Sequence, residues 1–576
     1  MPSLRLSALV AGGAGSLLVA ATLVALPPAR LLSPSTAPTN HVAGAYHVHS
    51  VRSDGTGTVD EIAEAAARAG LQFVIITDHG DGARPPQPAT YRSGVLCLDA
   101  VEISTDDGHY VAIDMPAAPY PLGGEARDVV DDVRRLGGFG VAAHPESEKP
   151  ELQWRFRDLP VDATEWLNAD SQWRDESTPR LLGALLAYPF RPGETLAALL
   201  DRPDGSLLQW DELAARRAVV GLAGADAHAG IRWGRAADPY DRPPMIAIPS
   251  YEASFRSFSQ RLILDAPLSG DAARDAALVY DALRHGRAYS VIDGFATAGD
   301  VEFRATADGR TVAMGGRIFT TGPVTIDGRI DGPSTARLIV VGDGIPIYRS
   351  DGPDLRVELT RPPAVVRLEA YLPRVPGTPP VAWIVGNPIY LTALDSGRAT
   401  SGPSEAGLEE ATRPLPASGW TAEQASGSSH TLLRDPGASS VGLRFVLGSG
   451  AGEAPHVALR HALDPARPIP THITLRTWAD APRRLSVQLR ADGATERRWQ
   501  RSVYVDATPR VVRIDTRDLR PARDSRESAR PERADSLLVV VDTVNERPGT
   551  GGTFWIDDVG VATLAAGAQV RTPRSR

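Results

Sequence analysis

Cys97 is the only cysteine in 576 residues, so no intrachain disulfide forms and no multi-cysteine zinc ribbon can be built. Any metal this chain holds must be held by histidine, aspartate and glutamate. Lysine is as scarce, with Lys149 alone among arginines. The 61 basic residues are outnumbered by 70 acidic ones, for a formal net charge of -9. Without a polycationic face, nucleic-acid binding through a broad basic surface is excluded. Hydrophobic residues at 42% and charged residues at 23% exclude a mostly disordered chain. There is no GxSxG elbow and no P-loop, and the GSGAG ending at Gly452 has no following helix to bind a dinucleotide.

Long apolar runs are also missing, with one exception. Ser7 to Leu26 carries no charge, follows Arg5 and stops at Pro27 and Pro28. It has the character of a signal-peptide core or a short N-terminal anchor, and a Ser/Pro/Thr linker follows it to Asn40. The expectation is an exported protein, placed in the periplasm, at the cell surface or outside the cell, with membrane anchoring through the N-terminus if the segment is uncleaved.

At roughly 100–200 residues per domain, a chain of this length holds three or four domains. Residues 1–40 are the leader or anchor with its linker. From 41 to 295 strand-like runs alternate with helical patterns, which predicts a largely parallel sheet with crossover helices. In its clearest unit Thr58 and Glu61 form a capping-box pair, Ile62, Ala65, Ala66 and Ala69 keep a helical stripe, and Gly70 is placed to cap the end. The run Phe73 to Ile76 then predicts a buried strand that follows it. Residues 296–395 are short β-type runs between Gly/Pro turns and predict a small β-sandwich. A Ser/Gly/Pro/Glu-rich linker spans 396–418, a β-rich domain 419–565, and a frayed tail 566–576.

Chemistry concentrates where the first domain's strands end. GAYHVHS places His47 and His49 on one strand face. FVIIT leads to Asp78 and His79, VLCLDAVE delivers Glu102, His109 precedes YVAID, GFGVAAHPE delivers His144 and Glu146, and GLAGADAH delivers Asp226 and His228. Strand ends of a βα barrel converge on one mouth, so residues distant in sequence can meet there. Neutral imidazole and carboxylate suit Zn, Mn or Fe, and such mouths support metal-activated water. One strand-end histidine is more often structural; repetition at successive ends carries the reading. His285, His430, His456, His461 and His472 show no such arrangement, and Cys97 reads as a small core residue.

In order, YHVHSVRSDG, ITDHGD, the glutamate of AVEIS, AAHPE and GADAH resemble the signature motifs of the polymerase and histidinol phosphatase (PHP) superfamily. The resemblance covers about the first half of the chain. It implies an α/β fold, a distorted (β/α)7 barrel of PHP type, here followed by two β-sandwich-like domains, and two or three divalent metal ions. Carried over by motif, His47, His49, Glu102 and Asp226 hold one ion. Glu102 bridges to a second, completed by His144 and His109. Asp54, His79 and His228 take a third, with Asp54 standing where some members have histidine. Asp78 and Glu146 are expected to orient imidazoles. The implied activity is hydrolysis of a small-molecule or polymer phosphate ester by a hydroxide shared between two metals, with Asp226 or His228 moving the proton to the leaving group.

Phosphate oxygens favour guanidinium forks. Arg174, Arg232 and Arg235 lie in segments that follow the site motifs, beside Trp173 and Trp233. The last domain loosely resembles galactose-binding-like jelly rolls, which makes a glycan an expected partner and Trp420, Trp478 and Trp499 its candidate contacts. Two other readings compete. An amidohydrolase-type C–N hydrolase would use a lysine to bridge its metals, and Lys149 follows the His144 strand end without a matching motif. A non-catalytic surface glycan-binding protein would have no reason to keep the complete ordered ligand set.

Overall fold

The computed structural model describes residues 20–33, 38–230, 248–377, 379–391, 411–434, 439–449, 454–491, 497–522 and 532–563. The chain divides into two compact units, Met1–Ala117 with Glu125–Ser396, and Ala118–Gly124 with Gly397–Arg576. Most of the apolar leader lies outside the described residues; among those described, no helix is long and apolar enough to cross a membrane.

The first unit begins with β1 (His41–Val48), α1 (Val59–Ala69) and β2 (Phe73–Ile76), a parallel strand pair with a crossover helix. Both halves of the expected capping box form between Thr58 and Glu61, and Gly70 closes α1 at φ 81°. β3 (Thr90–Arg92) and β4 (Val95–Asp99) follow, and β4 lies parallel to β2 with Cys97 buried in it. One residue later the chain enters β5 (Val101–Thr105), then β6 (Gly108–Ile113). Beyond α2 (Ala126–Arg135) come β7 (Phe139–Ala142), β8 (Ala163–Asn168), α3 (Ala169–Arg174), α4 (Asp204–Ala214) and β9 (Val220–Gly224). β7, β8 and β9 are mutually parallel. Backbone bonds from Ala225 N–H to Tyr46 O (2.8 Å) and from His49 N–H to Ala227 O (3.0 Å) set the end of β9 beside β1. After α5 (Tyr251–Ser257), the strands β10 (Ser259–Ile263) and β11 (Ala288–Val291) flank α6 (Ala272–Arg284) and pair antiparallel.

The architecture is mixed α/β with sheet predominating. The largely parallel pattern predicted from sequence holds for β1–β2–β4 and β7–β8–β9 and breaks between them. β5–β6 and β6–β7 are antiparallel, because the two residues between Thr105 and Gly108 make a hairpin turn and cannot carry a crossover. Phe73, Ile75, Leu98, Val111, Val141 and Leu222 are among the side chains buried together inside these strands. Every residue of β2, β6, β7 and β9 is buried, which accounts for their apolar sequence, unbroken except at His109 in β6.

Residues 301–391 were expected to stand apart as a sandwich, but their hydrogen bonding is shared with the preceding strands. Ile384–Gly386 pairs with β11, so the strands around Val365–Tyr371 extend the sheet that contains β1. Only Val301–Ala307, Arg310–Ala313, Val324–Ile330 and Asp354–Leu359 form a sheet of their own. A buried ionic network ties Val365–Tyr371 to α4. Arg367 forks onto Asp211 (2.8 and 2.9 Å) and meets Glu369, which also accepts from Arg202 (2.8 Å) and Tyr371 (2.6 Å).

The second unit is a β-sandwich. Its two six-stranded sheets share a core that includes Trp420, Phe445, Leu475, Val487, Trp499 and Phe554. Residues 396–410 of the expected linker lie outside the described residues. Its continuation Ala411–Pro414 is a strand, paired with Gly551–Thr563.

Burial alone would raise the Glu369 carboxyl, but Arg367 and Arg202 hold it down at about 2 against an ordinary 4.5. A depressed carboxyl adds stability that is complete above its unfolded value and disappears as pH falls toward its folded one. Glu369→Gln is therefore expected to cost on the order of 3 kcal/mol at pH 7. Its deficit against the parent should shrink as pH drops from about 4.5 toward 2. Urea midpoints at pH 7 and pH 3 check this; an equal deficit at both would contradict it.

Candidate metal centre

Strand ends bring the candidate ligands together. His47 and His49 close β1, His79 follows β2 by three residues, and His144 and Asp226 each follow β7 and β9 by two. Glu102 and His109 arrive differently. They sit on the β5–β6 hairpin, where Ser104 is opposite His109, so the start of antiparallel β6 lies at the same end as the finish of its parallel neighbours. Asp54 comes from the loop after β1. There, a Cβ on Gly55 would stand 2.1 Å from the His49 carbonyl oxygen, so the SDG turn needs its glycine.

The backbone is bent to make this convergence. His47 (φ 64°), His144 (φ 51°) and Asp226 (φ 45°) all adopt left-handed conformations. In residues other than glycine each costs on the order of 1–3 kcal/mol, and such positions gather at functional sites. At His47 the distortion coincides with a register shift against β2 between Ala45 and Val48.

Glu102 lies at the middle, 1% exposed. Its Oε1 is 2.8 Å from His109 Nδ1 and 3.0 Å from His144 Nε2. Its Oε2 is 3.2–3.3 Å from His47 Nε2, His49 Nε2 and His79 Nδ1. Asp226 faces His49 Nε2 (3.2 Å), His47 Nε2 (3.5 Å) and His144 Nδ1 (3.5 Å). Asp54 reaches His228 Nε2 (3.1 Å), His49 Nδ1 (3.3 Å) and His79 Nε2 (3.8 Å). All nine sequence-derived candidates therefore gather in one place. Four groups have donor atoms within 4.8 Å of one another: His47, Glu102 and His144; His47, His49 and Asp226; His79, Glu102 and His109; and His49, Asp54, His79 and His228. The first two are wholly buried and the third is buried except for His79, while in the fourth the side chains of Asp54, His79 and His228 are each 17% exposed and form the open side.

Burial disfavours charge throughout this cluster, yet Asp226 and Glu102 raise His47 and His144 above the ordinary imidazole range and carry His49 to about 10. At His79 burial prevails and the value falls to about 4. Glu102 and Asp226 stay well below the usual carboxyl range despite burial, held there by the surrounding imidazoles. The carboxylates thus demand positive charge, which protons meet when no cation is bound. Buried atoms point the same way: His47 Nε2, His49 Nε2, His144 Nδ1 and Glu102 Oε2 make no hydrogen bond among the described residues. Converging imidazole nitrogens and carboxylate oxygens without hydrogen-bond partners fit divalent cations.

The two residues expected to orient imidazoles contact other groups. Asp78 accepts from Ser50 N–H and Oγ (both 2.7 Å), Ser53 Oγ (2.7 Å) and Arg52 Nε (2.8 Å), so it shapes the loop that delivers Asp54. Glu146 accepts from Ser206 Oγ (3.1 Å) in the first turn of α4. The supporting carboxylate that sequence reading missed is Glu165, in the middle of the buried strand β8, 2.6 Å from His47 Nδ1. A fully buried Glu inside ATEWLN was its only sequence signal.

Arg174 ends α3, half exposed and paired with Asp170. Arg232, Arg235 and Trp233 lie outside the described residues. Trp173 donates from Nε1 to Leu196 O (3.2 Å). Lys149, the one lysine of the chain, is exposed, whereas the inner candidate ligands are buried. In the second unit Trp420 and Trp499 are 1% exposed core side chains and cannot meet a glycan. Trp478 is half-buried and stacks on Trp555 at 5.9 Å and 7° between ring planes.

No protein-family model matches this sequence, and no curated protein matches it. Among solved structures the chain is similar to a two-domain protein containing a predicted PHP-like metal-dependent phosphoesterase from Bacteroides vulgatus. That likeness has 14% identity and TM-score 0.30, over 64% of this chain and 99% of that one. It is also similar to the family 11 carbohydrate-binding module of a cellulosomal cellulase of Clostridium thermocellum, with 12% identity and TM-score 0.22, over 27% of this chain and 95% of that one. Likenesses this distant decide nothing about function, which rests on the geometry above.

Glu102→Gln would put a neutral amide among five imidazoles. Metal uptake, counted by mass spectrometry after reloading, is expected to weaken by more than the roughly 10–100-fold that loss of an outer partner costs. Uptake equal to the parent's would remove Glu102 from the centre.

Proposed function

We propose that this protein is an exported metal-dependent phosphoesterase of PHP type. One observation carries the reading: five imidazoles surround buried Glu102, and His47 and His144 among them, like Asp226, leave their strands in left-handed conformations. The Ala225–Tyr46 bond beside β1 and β9, and the continuation of β4 into β5, support reading the two sheets that carry β1–β2–β4 and β5–β9 as parts of one distorted barrel.

Two or three divalent ions, Zn, Mn or Fe, fit this donor set. Glu102 would bridge, with His109 and His144 beside Oε1 and His47 and His49 beside Oε2. Asp226 would complete the set around His47 and His49, and Asp54, His79 and His228 would hold an outer ion. Bound there, the ions would supply Lewis-acid charge and an acidified water for attack on phosphorus. The chain's own residues set the direction of entry. Asp226 is enclosed, whereas His228 and Asp54 reach the surface, so the ester enters over the outer group. His228 Nδ1 lies 2.9 Å from the Asp226 carbonyl oxygen, which holds the ring at that opening with Nε2 toward Asp54 Oδ2 (3.1 Å); with only the two inner ions bound, that Nε2 would be free to pass a proton to the leaving oxygen. Of the three candidate phosphate clamps Arg174 lies among the described residues, and it pairs with Asp170. The C–N hydrolase reading would have to use Lys149, which is exposed.

Purified protein reloaded with Zn, Mn or Fe is expected to hydrolyse p-nitrophenyl phosphate or its bis-ester and to stop on chelation. Bound metal with no turnover of either ester would count against phosphate esters as substrates, and no bound metal would overturn the reading.

For the second unit we assign glycan contact to Trp478 and Trp555. Trp478→Ala should abolish retardation in polysaccharide-containing gels with the fold kept. Trp499→Ala, which empties a core site, should instead cost about 3–5 kcal/mol. Unchanged retardation in Trp478→Ala would dismiss the glycan face.

A further inference from the structure

Glu165 is buried at 0% exposure behind the metal centre and joins none of the four convergent groups. Three nitrogens surround its carboxylate. Oε1 lies 2.6 Å from His47 Nδ1, and Oε2 accepts from His144 N–H (3.0 Å) and Asn168 Nδ2 (2.9 Å). A backbone N–H and an amide NH2 can only donate, so Oε2 is an acceptor twice over. Space for this carboxylate is reserved by Gly224 in β9, where a Cβ would stand 2.3 Å from Glu165 Oε1. Glu165 therefore lies behind all three left-handed strand ends. It holds the His47 ring and the His144 backbone directly, and it packs against the residue two before Asp226.

We infer that Glu165 is the positioning residue that fixes the tautomer of His47 in the metal-loaded site: it keeps the proton on Nδ1, so that Nε2, on the side of Glu102 and Asp226, is the nitrogen left to ligate. The inference rests on the metal-centre reading and adds to it a residue outside the nine candidate ligands. A ring nitrogen bonded to an acceptor carries the hydrogen, and the opposite nitrogen is then free to ligate. His47 Nε2, like His49 Nε2, faces both Glu102 (3.3 Å) and Asp226 (3.5 Å), and His47 is the one of the two whose Nδ1 meets a carboxylate outside the candidate ligands. Without Glu165 the ring could rotate or exchange its proton, and the strained φ at His47 would lose the contact that holds it.

Glu165→Gln discriminates sharply because it keeps shape and removes one acceptor. The two donors at Oε2 require the amide oxygen, which turns the NH2 toward His47 Nδ1. That nitrogen must then accept, which moves the ring proton to Nε2 and blocks ligation.

The test uses the full chain with 15N-labelled histidine, loaded with zinc, together with a competitive zinc titration of the metal-free parent and variant. In the parent, His47 is expected to show a protonated Nδ1 and a zinc-bound Nε2. Glu165→Gln is expected to lose that Nδ1–H signal and to bind zinc 10–100-fold more weakly, with the circular dichroism of the metal-free protein unchanged. Parental zinc affinity in a folded variant would overturn the inference and leave the metal centre standing. Failure of the parent itself to take up zinc would overturn the metal-centre reading and the inference with it. If the variant does not fold, the parent spectrum decides alone: a His47 ligated through Nδ1, or protonated on Nε2, overturns the assignment.

Discussion

The first unit is organised around one buried carboxylate. Five imidazole nitrogens stand 2.8–3.3 Å from Glu102, which has 1% of its surface exposed. A carboxylate removed from water needs compensating charge at close range. The imidazoles can supply it only as imidazolium, or as ligands of a shared cation. The hairpin β5–β6 departs from the parallel scheme where Glu102 and His109 are needed, and β1, β7 and β9 end in left-handed turns that swing His47, His144 and Asp226 inward.

Strain of that kind persists only where its surroundings over-determine it. Here they do so with contacts that extend outward in layers. Glu165 backs His47 and His144, and Asn168 both donates to Glu165 and caps α3 through Ser171 N–H. Asp78 gathers Ser50, Ser53 and Arg52, so the loop between β1 and α1 presents Asp54. On its carbonyl side, His49 accepts from the Tyr251 hydroxyl at 2.7 Å, which ties α5 to the same loop.

Much of this site was legible in the sequence because its signal was repetition. A polar, metal-competent residue recurred at the ends of apolar runs, and all nine candidates proved to be neighbours. What stayed hidden depended on pairing. The antiparallel hairpin at β5–β6 could not be told from a crossover by composition, although the two-residue gap between Thr105 and Gly108 held the clue. Glu165 sat inside a strand and looked like any interrupted apolar run. Asp78 and Glu146, adjacent in sequence to His79 and close to His144, turned toward other elements, because sequence proximity to a ligand does not fix where a side chain points. Trp420 and Trp499 were buried for a similar reason: alternation along a strand decides the face, and both fall on the inward one. The strands of residues 301–391 had the spacing of a separate sandwich, and only the pairing of Ile384–Gly386 with β11 revealed that one sheet runs through both parts.

The most direct test of the metal centre is anomalous diffraction from crystals of the protein grown with Zn or Mn, collected at the absorption edge of the metal. Two or three anomalous peaks within bonding distance of the nine candidate residues, with the Glu102 carboxylate between two of them, are the expected result. Anomalous peaks only at surface sites, with Glu102 still ringed by metal-free imidazoles, would contradict it.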